Sequence, residues 1–419
     1  MMGWKRRTVS FLAALLLAAS TCVGAAAEAL PGDALPMGEQ DGEVGEVSVP
    51  VYKIERETKQ AASFVPGTPL PVKSAILMEQ DSGRVLYEQN SGQKLAPASV
   101  TKIMSLLLVM EALDSGKIAL TDTVTCSDTA AAYGGSQIWL KPGEQMTVEE
   151  LLKATAIASA NDATVCLAEY VAGSELAFVD QMNRRAAALG MTDTVFRCAA
   201  GLDNEGHLTT ARDVALMSRE LMKHPAIQNY TTIWMDSLRN GATQLVNTNR
   251  MVRFYEGATG LKTGTTSGAG SCLSATAQRD GLQLIAVIMG AETSDLRFSA
   301  ARSLLDWGYA NYMQAKLSPP DGLEPVKVSG GIAPSVAVRC LPPDGVVIEK
   351  NKAERLKQEL TLQQELKAPV LEGQQLGTVR VSADGELLLE YPVCAANEVS
   401  KMTLTRALGI LWGSLLRCD

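Results

Sequence analysis

The chain has 419 residues, 46% of them hydrophobic, with 46 acidic and 38 basic side chains and a formal charge of −8. That length and apolar content suit two or three folded domains, and the acidic balance argues against a nucleic acid as the main partner. Eight widely spaced cysteines without a CxxC pair, and only two histidines, argue against a disulfide framework, a zinc site or a histidine-rich metal centre. The usual GxSxG nucleophile elbow does not occur either, so a serine enzyme built on this chain would need a base other than histidine.

Residues 1–27 read as a secretory signal: Lys5, Arg6 and Arg7 precede the apolar run "FLAALLLAAS", and Ala25 and Ala27 supply small residues for cleavage. A lipoprotein site at Cys22 is the weaker reading, because "AAST" before it lacks the usual leucine and small residue. Cleavage near Ala27 removes three basic and no acidic residues, taking the formal charge from −8 to −11. Residues 28–70, rich in Gly, Pro and acid, read as a flexible spacer with little to pack.

Order is predicted to begin at Lys73, with two short strands around an Asp81-Ser82-Gly83 turn. Next comes "PASVTKIM", Pro97 to Met104, at the mouth of an apolar helix running to Leu113. A serine there is an ordinary helix cap. It is also the first residue of S-x-x-K, a pattern that occurs twice, since "SGQK" spans Ser91 to Lys94. Ser91 lies in a turn composition, whereas Ser99 opens a long apolar run. Lys102 would then sit one helical turn on, with its amine leaning back toward the Ser99 hydroxyl. A serine needs such a neighbour, because unassisted it is a weak nucleophile.

Residues 146–173 form a second helical region, opened by a capping box of Thr147 and Glu150. Inside it, "SAN" from Ser159 to Asn161 reads locally as a helix-terminal turn. "KTGTTSGAGSCLSATA", from Lys262, reads locally as a glycine-rich turn into a strand. A second hairpin follows around Asp280-Gly281, then a closing helix over 299–312. Helices lying between hairpins predict an antiparallel sheet with packed helices, an α/β or α+β domain rather than a doubly wound one. Beyond residue 315, short apolar strands broken by Pro-Pro, Gly-Gly and Asp-Gly predict a small all-β domain. In the last segment Leu404, Leu408, Leu411 and Leu415 form one helical stripe with Arg406 and Arg417 on the other side. Its uncharged run is too short to span a bilayer and fits an in-plane anchor, or else a terminal helix docked on the β domain.

The order and separation of the short motifs carry more than any one of them. Ser99 and Lys102, then Ser159 and Asn161, then Lys262 to Gly264 follow the three motifs of penicillin-recognising serine enzymes. Their flanks, "PASVTKIMSLLLVMEAL", "LLKATAIASANDATVCLAEYVAGS", "GHLTTARDVALMSREL" and "GLKTGTTSGAGSCLSATAQRDGLQLIAV", resemble the low-molecular-mass D-alanyl-D-alanine carboxypeptidases, penicillin-binding proteins of peptidase family S11.

The resemblance implies a serine β-lactamase/DD-peptidase-like domain over 71–315, a C-terminal β domain over 316–397 and an amphipathic anchor over 400–419. It further implies Ser99 as nucleophile, Lys102 as its base, Ser159 as a proton relay toward the leaving amine, and Asn161 as the group placing Lys102 and the substrate amide. Lys262 and Thr263 would suit a substrate ending in a carboxylate, Gly264 would let it lie along the strand, and the N–H groups of Ser99 and Thr265 would form the oxyanion hole. The implied partners are a peptidoglycan stem peptide ending in D-Ala-D-Ala, β-lactams as inhibitors and the membrane surface on the extracytoplasmic face, with no cofactor and no metal.

The chain departs from the family at Ala160, where glycine is common, and at Cys198 and Ala199, where Asn and Pro are usual. His207 reads as part of a loop capping the next helix rather than as a base. Two other readings stay open: a β-lactamase, although no Glu-x-x-Leu-Asn loop lies between the second and third motifs, and a wall-binding relic without activity.

Overall fold

The computed structural model describes residues 64, 65 and 67–415. The expected signal segment, most of the spacer, Cys22 and Cys418 lie outside the described residues.

Five antiparallel strands form the central sheet: β1 (Ser74–Glu79), β2 (Val85–Gln89), β3 (Ala258–Thr266), β4 (Gly270–Arg279) and β5 (Leu282–Ala291), in the order β2-β1-β5-β4-β3. Both expected hairpins are present, and the one between β4 and β5 turns at Asp280 and Gly281 with φ of +49° and +85°. Two successive residues at positive φ match the twist of the flanking strands, which explains why Asp-Gly stands there.

Strand β5 is apolar on both sides because both faces of the sheet are covered. Leu284, Ala286 and Ile288 pack with Leu304 and Leu305 of the closing helix. Ile285, Val287 and Met289 join the larger core with Leu107, Val214 and Met217. That larger core surrounds helix α1 (Lys102–Asp114), whose residues from Lys102 to Met110 are all buried. A helix apolar all round belongs inside a domain, and α1 is the central one here.

The second helical region is two helices, α2 (Val148–Ile157) and α3 (Asn161–Ala172). Thr147 and Glu150 close the predicted capping box reciprocally at the start of α2. The break falls at Ser159, which adopts φ of +62° and lets the chain restart as a helix at Asn161. Helix α4 (Glu175–Ala188) follows, then α5 (Ala211–Leu221), capped by the Thr210 hydroxyl. The closing helix α6 spans Ser294–Asn311. It starts five residues before the expected position because the Thr293 hydroxyl caps it by accepting from the Leu296 N–H.

Directly after α6, Tyr312–Ala315 pairs antiparallel with Val346–Glu349. Three- and four-stranded sheets make up the rest of the C-terminal part, each with a valine-rich core of its own. The last described element is the helix Leu404–Leu415.

Candidate active site

Ser99 does not cap a helix. It sits in a short 3-10 turn, Ala98–Thr101, immediately before α1, and makes no capping bond there. Lys102 begins α1 and is completely buried, with Nζ 3.0 Å from the Ser99 hydroxyl oxygen. The same amine donates to Asn161 Oδ1 at 2.6 Å and to the Ala200 carbonyl at 2.6 Å. Asn161 Nδ2 donates in turn to the Gly134 carbonyl at 2.6 Å, which fixes the amide with its oxygen toward the lysine.

This geometry decides what the amine can do. Burial is the main cause that brings Lys102 down from 10.5 to about 7, opposed by the negative potential of Cys198 and Asp162. A shift of that size corresponds to about 5 kcal/mol in favour of the neutral form. A neutral amine has two N–H groups and one lone pair. The two carbonyl oxygens take the two N–H groups, so the lone pair faces the Ser99 proton. The arrangement is a serine with a buried amine within hydrogen-bond reach of its hydroxyl, the geometry that a general base requires.

The duplicate pattern has no such geometry. The Ser91 hydroxyl donates to Glu88 at 2.6 Å, and Lys94 forms an ion pair with Asp193 at 3.0 Å. Neither faces the other, so only one of the two S-x-x-K copies is a constellation.

Ser159, at the break between α2 and α3, is buried with its neighbours Ala160 and Asn161. Ser99, Lys102 and Asn161 are thus joined from the mouth of α1 and the α2–α3 break, and strand β3 meets the Ser99 turn at Gly264. Lys262 is buried on β3 and donates to the Thr263 carbonyl at 3.1 Å. Thr263 donates to Thr248 at 2.7 Å, and the Thr265 hydroxyl to the Gly264 carbonyl at 2.8 Å.

Gly264 is required by the nucleophile turn: a Cβ there would stand 2.9 Å from both the Ser99 and Val100 nitrogens and 3.0 Å from the Ala98 Cβ. The glycine thus serves the contact between β3 and the Ser99 turn, a requirement beside the room for the substrate to which the sequence points. Lys262, expected to suit a substrate carboxylate, would do so in its charged form. Burial lowers its pKa well below the ordinary value, and Lys102 and Arg297 push it further down. Burial thus disfavours that charge, and a bound carboxylate would favour it.

Sequence reasoning missed Arg297. From α6 its Nη1 donates to the Gly264 carbonyl at 3.0 Å, to the Thr265 hydroxyl at 2.8 Å and to the Cys272 carbonyl at 3.3 Å. It sits behind the third motif as a buried cation. Nothing in "SDLRFSA" distinguishes it, because only the packing of α6 brings it to β3. Asp162 was also missed as a part. Its buried carboxylate accepts from the Ile138 N–H at 3.2 Å and the Leu140 N–H at 3.0 Å. Trp139 lies between these anchors, at φ of +53° and 75% exposed. Four of the cysteines, Cys126, Cys166, Cys198 and Cys272, are buried free thiols, as expected of most of them.

Comparison with known proteins agrees with this geometry. The family model described as D-alanyl-D-alanine carboxypeptidase matches residues 60–293, and that of the penicillin-binding protein 5 C-terminal domain matches residues 321–401. The chain is 43% identical over 334 residues to the D-alanyl-D-alanine carboxypeptidase DacF of Bacillus subtilis (strain 168), covering 78% of this chain and 86% of that protein. It superposes on penicillin binding protein 5 from Haemophilus influenzae with a TM-score of 0.72 at 30% identity, covering 81% of this chain and 100% of the other. Penicillin-Binding Protein D2 from Listeria monocytogenes, in its cefotaxime-bound form, matches with a TM-score of 0.54 at 31% identity, covering 58% of this chain and 100% of the other.

Proposed function

The chain belongs to the D-alanyl-D-alanine carboxypeptidase family, and from that membership we propose how its side chains divide the reaction. The protein is a serine-type D-Ala-D-Ala carboxypeptidase, a penicillin-binding protein that acts on peptidoglycan peptides outside the cytoplasm. Neither the β-lactamase nor the relic reading is favoured beside it.

In the proposed mechanism Ser99 Oγ attacks the carbonyl carbon of the penultimate D-alanine, and its proton passes to the lone pair of Lys102. The oxygen that becomes negative is met by the N–H groups of Ser99 and Thr265. Collapse of the tetrahedral adduct breaks the peptide bond, and the leaving D-alanine amine takes a proton relayed from Lys102 through Ser159. Water then attacks the acyl-serine ester, with Lys102 again taking a proton, and frees the shortened peptide. Lys262 and Thr263 hold the terminal carboxylate, and Asn161 keeps Lys102 and the substrate amide in register. A β-lactam would enter the same acylation step.

The single observation that supports this reading best is the 3.0 Å approach of a completely buried lysine amine, brought down to about 7, to the Ser99 hydroxyl. We also propose that residues 1–27 are a cleaved signal, that 28–70 form a spacer, and that the C-terminal helix lies in the plane of the extracytoplasmic face of the cell membrane as an amphipathic anchor. Leu404, Leu408, Ile410 and Trp412 are all exposed on it, an apolar set that a membrane surface would cover.

D-alanine release from a stem pentapeptide tests the assignment, with Ser99→Ala and Ser91→Ala compared. Release is expected to vanish in the first and persist in the second. Release unaffected by Ser99→Ala would remove the nucleophile assignment.

A further inference from the structure

Ala98, the residue before the proposed nucleophile, adopts φ of +50° although it is not glycine. Such a conformation is unfavourable for a residue with a side chain and persists only where the surroundings impose it. Here the surroundings can be followed atom by atom. The Ala98 carbonyl accepts from the Thr101 hydroxyl at 2.8 Å, and Thr101 Oγ1 lies 2.9 Å from His207 Nε2. The other ring nitrogen, Nδ1, accepts from the Arg197 backbone N–H at 2.9 Å.

These three bonds can run in only one direction. An N–H donating to Nδ1 requires a lone pair there, so the ring proton is on Nε2 and is donated to Thr101. The Thr101 proton is then committed to the Ala98 carbonyl. The ring is 2% exposed, and burial brings His207 down to about 4, so the neutral tautomer holds throughout the range in which the enzyme would work. Phe196 packs edge-on against the ring with centroids 5.9 Å apart. On the other side Gly201 presses so close that a Cβ would stand 2.0 Å from the Ala98 oxygen and 2.8 Å from Thr101 Oγ1.

The same segment supplies the Ala200 carbonyl to Lys102. The loop that carries His207 thus touches both ends of the serine–lysine pair.

We infer that His207 is a positioning residue, which acts through Thr101 to hold the Ala98 carbonyl and with it the turn that presents Ser99 to the substrate. It does not touch reacting atoms, and the inference rests on Ser99 being the nucleophile. It also gives a reason for the imidazole that a loop cap does not. Capping needs one acceptor, whereas this position needs an acceptor and a donor on opposite edges of a rigid ring.

The test compares His207→Asn and His207→Gln with Thr101→Val and Thr101→Ser, using fluorescent penicillin for acylation and a stem pentapeptide for kcat and KM, on protein whose melting is followed in parallel. Asn keeps the acceptor for Arg197 but cannot reach Thr101, whereas the Gln amide nitrogen can. His207→Asn and Thr101→Val are expected to lower the acylation rate constant and kcat by about 10- to 100-fold, with KM within about twofold of wild type. His207→Gln and Thr101→Ser should recover most of that loss. Thr101→Val carries the test if His207→Asn does not fold. Wild-type acylation by folded His207→Asn or Thr101→Val overturns the inference. Equal losses in Asn and Gln that follow the melting temperature overturn it too, since they mark a role in folding alone. Ser99→Ala run beside them separates the two levels: if that variant is still acylated, the nucleophile assignment fails, whatever His207 does.

Discussion

At the scale of single residues, the site is set by what burial does to cations. Lys102, Lys262 and Arg297 are all enclosed, and in each case burial is the leading cause that disfavours the charged form. For Lys102 the consequence is kinetic. Below about pH 7 the amine is protonated and cannot accept the Ser99 proton, so acylation by a penicillin should fall about tenfold per pH unit on the acid side and level off above it. A pH–rate profile from pH 5 to 9 checks this, and a flat profile would contradict Lys102 as the base. Stability carries the same sign. Between about 7 and 10.5 the unfolded chain holds a proton on this lysine that the folded one does not, so the lysine's contribution to stability rises with pH across that window and is lost as pH falls through it. Gly264 is a separate constraint at this scale. Gly264→Ala must push the Ser99 turn away by several tenths of an ångström, so penicillin acylation should drop at least tenfold. Labelling at the wild-type rate would show that the turn yields freely.

At the scale of elements, the break between α2 and α3 does two tasks. Ser159 at positive φ ends one helix, and Asn161 and Asp162 begin the next with their side chains turned to different uses. Asn161 holds Lys102. Asp162 holds the preceding loop by accepting from Ile138 and Leu140, and it also accepts from the Ala163 N–H, 2.9 Å away. Arg239 grips the same loop from the other side, at the Ile138 carbonyl. Asp162→Ala leaves buried N–H groups without an acceptor, and is expected to destabilise the protein by roughly 2–4 kcal/mol. It should also lower D-alanine release, because Asn161 donates to that same loop, through its N–H to the Ser136 carbonyl and through Nδ2 to the Gly134 carbonyl. Denaturant unfolding measures the first effect and turnover the second. A variant as stable as wild type would mean that water replaces the carboxylate.

At the scale of the whole molecule, chemistry is confined to the region around α1, while the C-terminal part joins it through Tyr312–Ala315 and a few side chains. Arg84 beside the β1–β2 turn donates to the Val347 carbonyl at 3.1 Å and pairs with Glu386 at 3.1 Å. A cavity of about 520 Å³ opens there, lined by Glu79, Arg84, Gln314, Val347 and Glu386 among others. None of the site residues lines it. Among the described residues no helix is long and apolar enough to cross a membrane. Removal of residues 404–419 is therefore expected to leave kcat on a soluble pentapeptide unchanged while abolishing sedimentation with phosphatidylglycerol vesicles. Undiminished vesicle binding by the shortened chain would assign that helix to packing on the β domain.

Much of this was legible before any coordinates. The two hairpins, the capping box at Thr147 and the apolar α1 follow from local periodicity and turn chemistry, which act over a few residues. The candidate site was legible because three short motifs stand in a fixed order at wide separations, a coincidence that none of them carries alone. What the chain could not reveal by itself is long-range. Arg297 lies 33 residues beyond Gly264 and His207 lies 106 beyond Thr101, and only packing brings either pair together. The two S-x-x-K copies are equivalent as strings. Ser91 is tied to Glu88 and Lys94 to Asp193, while Lys102 is buried against Asn161 and Ala200. The residue types that make a serine reactive are thus written in the sequence. Whether a given lysine is stripped of water, and so of its proton, depends on what the fold places around it.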